Sequence, residues 1–417
     1  MSVRKSVLFL ICVALVLVVI AGSTLAASKV TIIYGQFSAG SQNAQTLDQM
    51  KALFEKKNPG IEVKIEATGY GEYFTQLQTR LVGGTAPDCY ELNYENFVTF
   101  AAKNVLLDLG PMFPSARISK TAFDKSALKA FSYKGKQYGV PESYSCVLLI
   151  YNKDVFDKAG VGYPTEKWTW QDVIAAGKKI RALGQDYYGL LQPIHFWEFY
   201  KVIVQNNGSL FNADATKFAI NSQANVEALQ YMVDNHNKYN ISPTKTQQSG
   251  QGDYDMFYTG KIGMIITGNW AFTDFIQKCK FKWDIAVEPG NKRKGCHFFS
   301  NGIVVNKNSK YPKEALKWAG FMSSDKECAM LRIKAAWEVP AVSNKEAINL
   351  YVSQKPPENR KAVFDSLKYL VTPPVIEQFN EMATIVTEQL EKARDGEKTP
   401  QQALDDAQKA LETKIKL

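Results

Sequence analysis

The chain has 417 residues, 45% of them hydrophobic and 22% charged, with 50 Lys and Arg against 41 Asp and Glu for a formal charge of +9. This composition excludes a disordered or collagen-like chain, and the length exceeds what one small core organises, so two domains are the default. The lysines are scattered rather than clustered, which speaks for a solvated basic surface and against nucleic acid as a partner.

The first element in chain order is a targeting segment. Arg4 and Lys5 precede an apolar run over residues 7–20, and Gly22, Ser23 and Thr24-Leu25-Ala26-Ala27 supply the small residues of a cleavage site. This is the layout of a secretory signal peptide, residues 1–26, because the run is shorter than the roughly 20 apolar residues of a membrane span. Removing Arg4 and Lys5 takes the charge from +9 to +7. Cys12 lies inside the run, so no lipid-anchor cysteine is expected and the product is expected to be periplasmic or extracellular. Five cysteines remain, Cys89, Cys146, Cys279, Cys296 and Cys328, an odd number that cannot pair completely. Their spacing matches no zinc pattern. Cys89 and Cys146 sit in apolar runs and read as small buried hydrophobes, while Cys279 and Cys296 flank a predicted hairpin and are a candidate disulfide.

Strand and helix patterns then alternate. Residues 30–34 read as a strand, 42–57 as an amphipathic helix broken by Asn58-Pro59-Gly60, 61–65 as a second strand, 73–81 as a helix and 88–92 as a third strand after Gly83-Gly84-Thr85-Ala86-Pro87. Lys134-Gly135-Lys136 is a tight turn between short strands, and 146–151 is a strongly apolar strand. Helices follow at 169–183, 196–205 and 225–239, then strands at 262–267, 281–287 and 302–305, with a polar turn at 289–295. Beyond Tyr311 the pattern is nearly all helix, ending in a Thr399-Pro400-Gln401-Gln402 start for a helix to about Lys414. The fold class is therefore α/β and two-lobed, each lobe a mainly parallel sheet flanked by helices, with a helical C-terminal segment. Ligands of such sheets sit outside the carboxyl ends of strands, and the meeting of the lobes is the natural cleft.

The sequence carries no Gly-x-Ser-x-Gly elbow, no His-Glu-x-x-His, no Walker loop and no Gly-x-Gly-x-x-Gly after a strand. Its three histidines, His195, His236 and His297, lie far apart, so no metal site or cofactor is expected. Paired carboxylates for glycoside hydrolysis are fixed only in space, and Glu95, Glu142 and Glu198 are the candidates for such a pair.

What recurs is aromatic rings beside amides and hydroxyls at element ends: Leu92-Asn93-Tyr94-Glu95-Asn96, Pro141-Glu142-Ser143-Tyr144-Ser145, His195-Phe196-Trp197-Glu198 and Phe298-Phe299-Ser300-Asn301. A sugar presents an apolar ring face edged by hydroxyls. Aromatic faces cover the first and amides or carboxylates bond the second. The run Gly260-Lys261-Ile262-Gly263-Met264-Ile265-Ile266-Thr267-Gly268-Asn269-Trp270-Ala271-Phe272 adds a buried strand that stops at Gly268-Asn269 and presents a tryptophan.

On these residues the chain resembles the family-1 extracellular solute-binding proteins of sugar ABC transporters, to which maltose-binding protein belongs. The resemblance spans essentially the whole mature chain. It rests on residues 83–88, 138–161, 164–173, 260–272 and 300–324, weak singly and specific in this order. It implies a two-lobed protein, with lobe 1 at 27–142 plus 302–340 and lobe 2 at 143–301 plus 341–417. Such a protein closes about hinges on a sugar or oligosaccharide and delivers it, as a monomer, to a membrane permease. By position, Asn93, Tyr94 and Glu95 match the polar cluster after the Pro-Asp strand, Ser145 beside Tyr144 a hinge contact, Trp197 a helix-start aromatic and Trp270 the stacking tryptophan, with Asn269 or Asn301 beside it for hydroxyls. His195 and Ser145 stand where maltose-binding protein has carboxylates, and Leu92 replaces an aromatic, which points away from maltose itself. Gln36, Gln42 and Trp337 are further binding candidates. Two alternatives stay open: an exported carbohydrate-active enzyme using Glu95, and a binding protein for an acidic or phosphorylated small molecule, which needs Arg or Lys in the cleft.

Overall fold

The computed structural model describes residues 29–40, 42–123, 125–342 and 345–417, with Gln42 in backbone only. The signal-peptide expectation for residues 1–26 lies outside the described residues. Among the described residues, no helix is long and apolar enough to cross a membrane.

Alternating β-branched residues form β1 (Val30–Gln36) and β2 (Ile61–Ala67), which pair in parallel from Val30↔Ile61 to Gln36↔Ala67. The expected helix at 42–57 stands between them as Gln42–Lys57, burying Leu47, Met50 and Phe54. β3 (Cys89–Asn93) adds in parallel to β1. The Lys134-Gly135 turn joins β4 (Ser132–Tyr133) and β5 (Lys136–Gln137). Both turn residues have positive φ, 47° and 79°, the conformation that matches hairpin twist.

Two long strands organise the centre. β6 (Gly139–Asn152) is buried along its length except at Tyr144, and β10 (Cys296–Val305) runs antiparallel to it. β6 pairs with β10 up to Cys146, then from Val147 onward with β8 (Ile262–Gly268) and from Leu149 with β9 (Trp283–Ala286). β7 (Tyr188–Leu191) closes that side in parallel with β8. The sheet order is β2-β1-β3-β10-β6-β8-β7, with β11 (Val339–Pro340) on β6 and β12 (Leu370–Val371) on β10. The outer pairs are parallel, as expected. The central strands are antiparallel because each crosses from one helix-flanked group to the other.

Two expectations need correction. The strand placed at 302–305 begins six residues earlier, so Phe298–Asn301 is strand rather than approach; two half-buried rings followed by buried Ser300 and Asn301 break the apolar pattern by which a strand is read. Cys279 and Cys296 form no disulfide: the five cysteines among the described residues are free, and Cys296 is buried with its thiol on the Val147 carbonyl. The C-terminal helices Phe379–Arg394 and Pro400–Lys414 pack on Phe196–Gln205 and Gln223–Asn237 around Phe196, Phe379, Leu390, Leu404 and Leu411. Thr399 and Gln402 form the capping box, with Pro400 in the first turn.

Candidate functional site

At the hand-over of β6 the structure opens a cleft of about 830 Å³, in the upper part of the range of small-molecule sites. Trp270, just after β8, and Phe299, on β10, meet at 5.7 Å between centroids, and Trp197, at the start of its helix, meets Phe299 at 5.9 Å. All three rings are only half-buried and line the cleft, so apolar faces remain open to an occupant.

The local sequence explains how Trp270 is held. A Cβ on Gly268 would fall 2.0 Å from the indole, so the ring lies across a backbone position that only glycine leaves free. The indole Nε1 donates to the Tyr254 hydroxyl at 3.0 Å, and that hydroxyl is 2.7 Å from Thr267 Oγ1. Asn269 is fully buried. Its Oδ1 accepts from the Cys146 backbone N–H at 2.8 Å, at the point where β6 changes partners.

On the other side, Asn93 Nδ2 donates to Glu95 and, at 3.2 Å, to the Tyr70 hydroxyl, while Asn96 donates to Asn93 Oδ1 at 2.8 Å. Burial pushes the Glu95 carboxyl up to about 8, and its Oε2 has no partner. His195 caps the helix Phe196–Gln205 by accepting from the Glu198 N–H at Nδ1, 3.3 Å away. Burial lowers its pKa, so the ring is neutral and carries its proton at Nε2. Glu198 bonds Lys201 at 2.8 Å and Gln192 at 3.2 Å, and the fully buried Lys201 also meets Glu288 at 2.6 Å.

Of the expected residues, Asn93, Glu95, Ser145, His195, Trp197, Trp270 and Asn301 line this one cleft. The others stand elsewhere. Trp337 is 1% exposed with the Arg332 guanidinium 4.2 Å from its ring, a core residue placed by packing that its Val339-Pro340 neighbourhood did not reveal. Gln36 turns its Oε1 onto the Ala39 N–H at 2.7 Å and shapes the loop after β1. Asn269 is taken up by the Cys146 bond. Tyr94 and Tyr144 lie outside the cleft lining, Tyr144 stacking on Phe298 at 5.7 Å. The Gln42 side chain lies outside the described residues. Sequence reasoning missed Phe37, Tyr70, Asp253, Tyr254 and Glu338, which line the cleft. The signals were Gly69-Tyr70-Gly71 and Gly252-Asp253-Tyr254, where a glycine precedes an aromatic at a helix start.

The lining is acidic. Among its described residues Lys278 is the single Lys or Arg, 3.5 Å from Asp274, against Glu95, Glu198, Asp253, Asp255, Asp274 and Glu338. Because Lys278 is paired with Asp274, a phosphate or carboxylate entering here finds no unpaired Lys or Arg among the described lining residues. No group of three or more His, Cys, Asp or Glu with metal-binding geometry occurs among the described residues.

The family model for bacterial extracellular solute-binding proteins matches residues 39–327. An ABC substrate-binding protein from Listeria monocytogenes, solved in complex with cycloalternan, superposes with a TM-score of 0.90 at 44% identity, over 93% of this chain and 99% of that one. The arabinooligosaccharide-binding protein of Bacillus subtilis (strain 168) is 26% identical over 78% of this chain and 77% of its own length. The sn-glycerol-3-phosphate-binding periplasmic protein of Escherichia coli (strain K12) is 23% identical over 91% and 92%. A family match over more than half the chain, joined to a relative it parallels nearly end to end, means that the chain belongs to the bacterial extracellular solute-binding proteins.

Proposed function

We propose that this protein is the extracytoplasmic substrate-binding component of a sugar ABC importer and binds a neutral oligosaccharide in the cleft. The observation that carries the reading is the open aromatic set Trp197, Trp270 and Phe299, ringed by Asn93, Glu95, His195 and Asn301. The rings cover the apolar sugar faces and the polar groups bond hydroxyls. The size of the cleft suits several sugar units, and the 44% identical relative makes cycloalternan the first ligand to try. The lobes are 27–142 plus 302–340 and 143–301 plus 341–417, joined through β6 and β10. Ligand stabilises the closed arrangement by its greater affinity for it. The protein acts as a monomer after loss of residues 1–26 and hands its sugar to membrane permease subunits. We read it as a binding protein rather than an enzyme: Glu95 lines the cleft, but its candidate partners for glycoside hydrolysis are engaged, Glu142 with Arg332 away from the lining and Glu198 with Lys201.

Calorimetry and tryptophan fluorescence against cycloalternan, maltodextrins, arabinooligosaccharides and glycerol phosphate test the reading. Saturable binding of a neutral oligosaccharide with a raised Tm is expected. A response to glycerol phosphate alone overturns the ligand class, and release of shorter saccharides overturns the assignment as a binding protein.

A further inference from the structure

Behind the cleft wall, and reaching it at Glu338, lies a second polar group. The register of β6 on β10 shifts between Asn301 and Gly302: Ser143 faces Asn301 and Pro141 faces Gly302, leaving Glu142 as the extra residue of a β-bulge. Glu142, 1% exposed, meets the guanidinium of Arg332, also 1% exposed. Glu338, 4% exposed, accepts from Ser143 Oγ and, at 3.4 Å, from Asn301 Nδ2. It occupies a left-handed backbone position, φ 22°, two residues after Ala336 at 56°, conformations that non-glycine residues hold only where surrounding structure demands it. Glu91 of β3, fully buried, accepts at Oε2 from the N–H groups of both Phe37 and Ser38 at 3.1 Å. Phe37, Ser38, Asn301 and Glu338 all line the cleft. Glu91 thus holds Phe37 and Ser38, Glu338 holds Asn301, and Glu142, paired with Arg332, sits in the bulge next to Ser143.

The charges do not balance. Three ionised carboxylates against Arg332 leave an excess of two negative charges on four groups that are at most 4% exposed, an arrangement that retaining a proton relieves. Two oxygens lack partners, Oε1 of Glu91 and Oε2 of Glu142. A proton on Glu91 removes one of the two excess charges, while its carbonyl oxygen keeps both backbone N–H groups. The groups facing Glu91 are Glu142 on β6, Glu338 before β11, Arg332 on the helix Lys326–Lys334, and the phenols of Tyr34 on β1 and Tyr73 on the helix Tyr70–Val82.

We propose that Glu91, with Glu142, Glu338 and Arg332, is a proton-linked positioning unit for the oligosaccharide cleft. A single retained proton keeps Phe37–Ser38 and Asn301 in place for the ligand. Glu91, Glu142 and Arg332 act through the cleft residues and do not touch the sugar, and Glu338 is the member that reaches the cleft wall, where it holds Asn301. It rests on the oligosaccharide reading of the cleft. Burial first, then Glu142 and Glu338, push the Glu91 carboxyl up to about 8, so the proton is present at neutral pH and leaves as the solution becomes mildly alkaline.

The test is calorimetric titration of the wild-type protein with cycloalternan and a maltodextrin from pH 6.5 to 9, in buffers of different ionisation enthalpy. Wild type should weaken about tenfold between pH 7 and 9 and take up a proton on binding at the upper end. Glu91→Ala should lose affinity at every pH, whereas Glu91→Gln, which keeps the acceptor and a permanent donor, should restore it and flatten the pH profile. Burial also raises the sugar-contacting Glu95 to about 8, so the comparison is repeated in a Glu95→Gln protein, where part of the alkaline weakening should persist and Glu91→Gln should remove it. A Glu91→Gln profile that superposes on wild type, or a flat wild-type profile with ligand bound, overturns the positioning unit while leaving the oligosaccharide reading intact. No saccharide bound at any pH overturns both.

Discussion

Gly268, Asn269 and Trp270 divide three tasks among three consecutive residues. Gly268 clears the space under the indole, Asn269 ties β8 to the point where β6 changes partners, and Trp270 turns its ring to the cleft. Different variants should therefore fail differently. Trp270→Ala should weaken oligosaccharide binding by at least about 2 kcal/mol, the scale of an aromatic anchor, with the melting temperature little changed. Gly268→Ala should approach that loss although no ligand contact is removed, since the indole has to move off the new methyl. Asn269→Ala should instead lower stability by about 1–3 kcal/mol, because the Cys146 N–H loses its acceptor in a dry site. Titration calorimetry paired with urea unfolding separates the three; a Gly268→Ala protein that binds normally would show that the ring is not held as described.

The helix Phe196–Gln205 illustrates how one element serves the cleft and the core at once. Its start presents His195 and Trp197 to the cleft, while one turn further Lys201 is buried between Glu198 and Glu288, and Gln205 bonds Glu288 at 3.0 Å and the Trp170 indole at 2.9 Å. A buried ammonium held by two carboxyl groups contributes little by its presence and a great deal by its removal, since deletion leaves Glu198 and Glu288 buried without their cation. Lys201→Met is expected to cost about 3–5 kcal/mol in urea unfolding. Replacing Glu198 and Glu288 by Gln in the same protein should recover much of that. A single Lys201→Met substitution that unfolds like wild type would contradict the arrangement.

At the scale of the whole molecule, buried acids and buried imidazoles set the pH dependence of stability with opposite signs. Burial raises Glu91 and Glu95 to about 8 and Glu288 to about 7, against 4.5 in an exposed chain. The folded protein therefore keeps protons that the unfolded chain has released, and stability falls as pH rises from about 4.5 to about 8. Burial lowers His195, His236 and His297 below 6.5, so the unfolded chain takes up protons that the folded protein refuses, and stability falls as pH drops below 6.5. Above 6.5 only the first effect remains. The melting temperature should decline between pH 6.5 and 8.5, and Glu95→Gln should make the decline shallower; scanning calorimetry of both proteins across that interval checks it. A melting temperature that rises over the interval would mean that these carboxyls are ionised in the folded state.

The sequence by itself determined the order of strands and helices, because hydrophobic period and Gly, Pro and capping residues act within a few neighbours. The helices at 42–57 and 196–205 and the strand ending at Gly268 are all encoded that way. It also marked Asn93, Glu95, Ser145, His195, Trp197, Trp270 and Asn301, since aromatic and polar residues at element ends are what a cleft between sheets exposes. Only the tertiary structure decided which polar residues face the cleft and which face one another. Gln36, Asn269 and Trp337 have the right chemistry for a ligand, yet each is taken up by packing or by a bond to a neighbouring strand. The Glu91, Glu142, Glu338 and Arg332 group comes from four elements that a β-bulge and strand pairing bring together across some 250 positions of chain. No local pattern announces it, because burial and charge balance are properties of the assembled sheet.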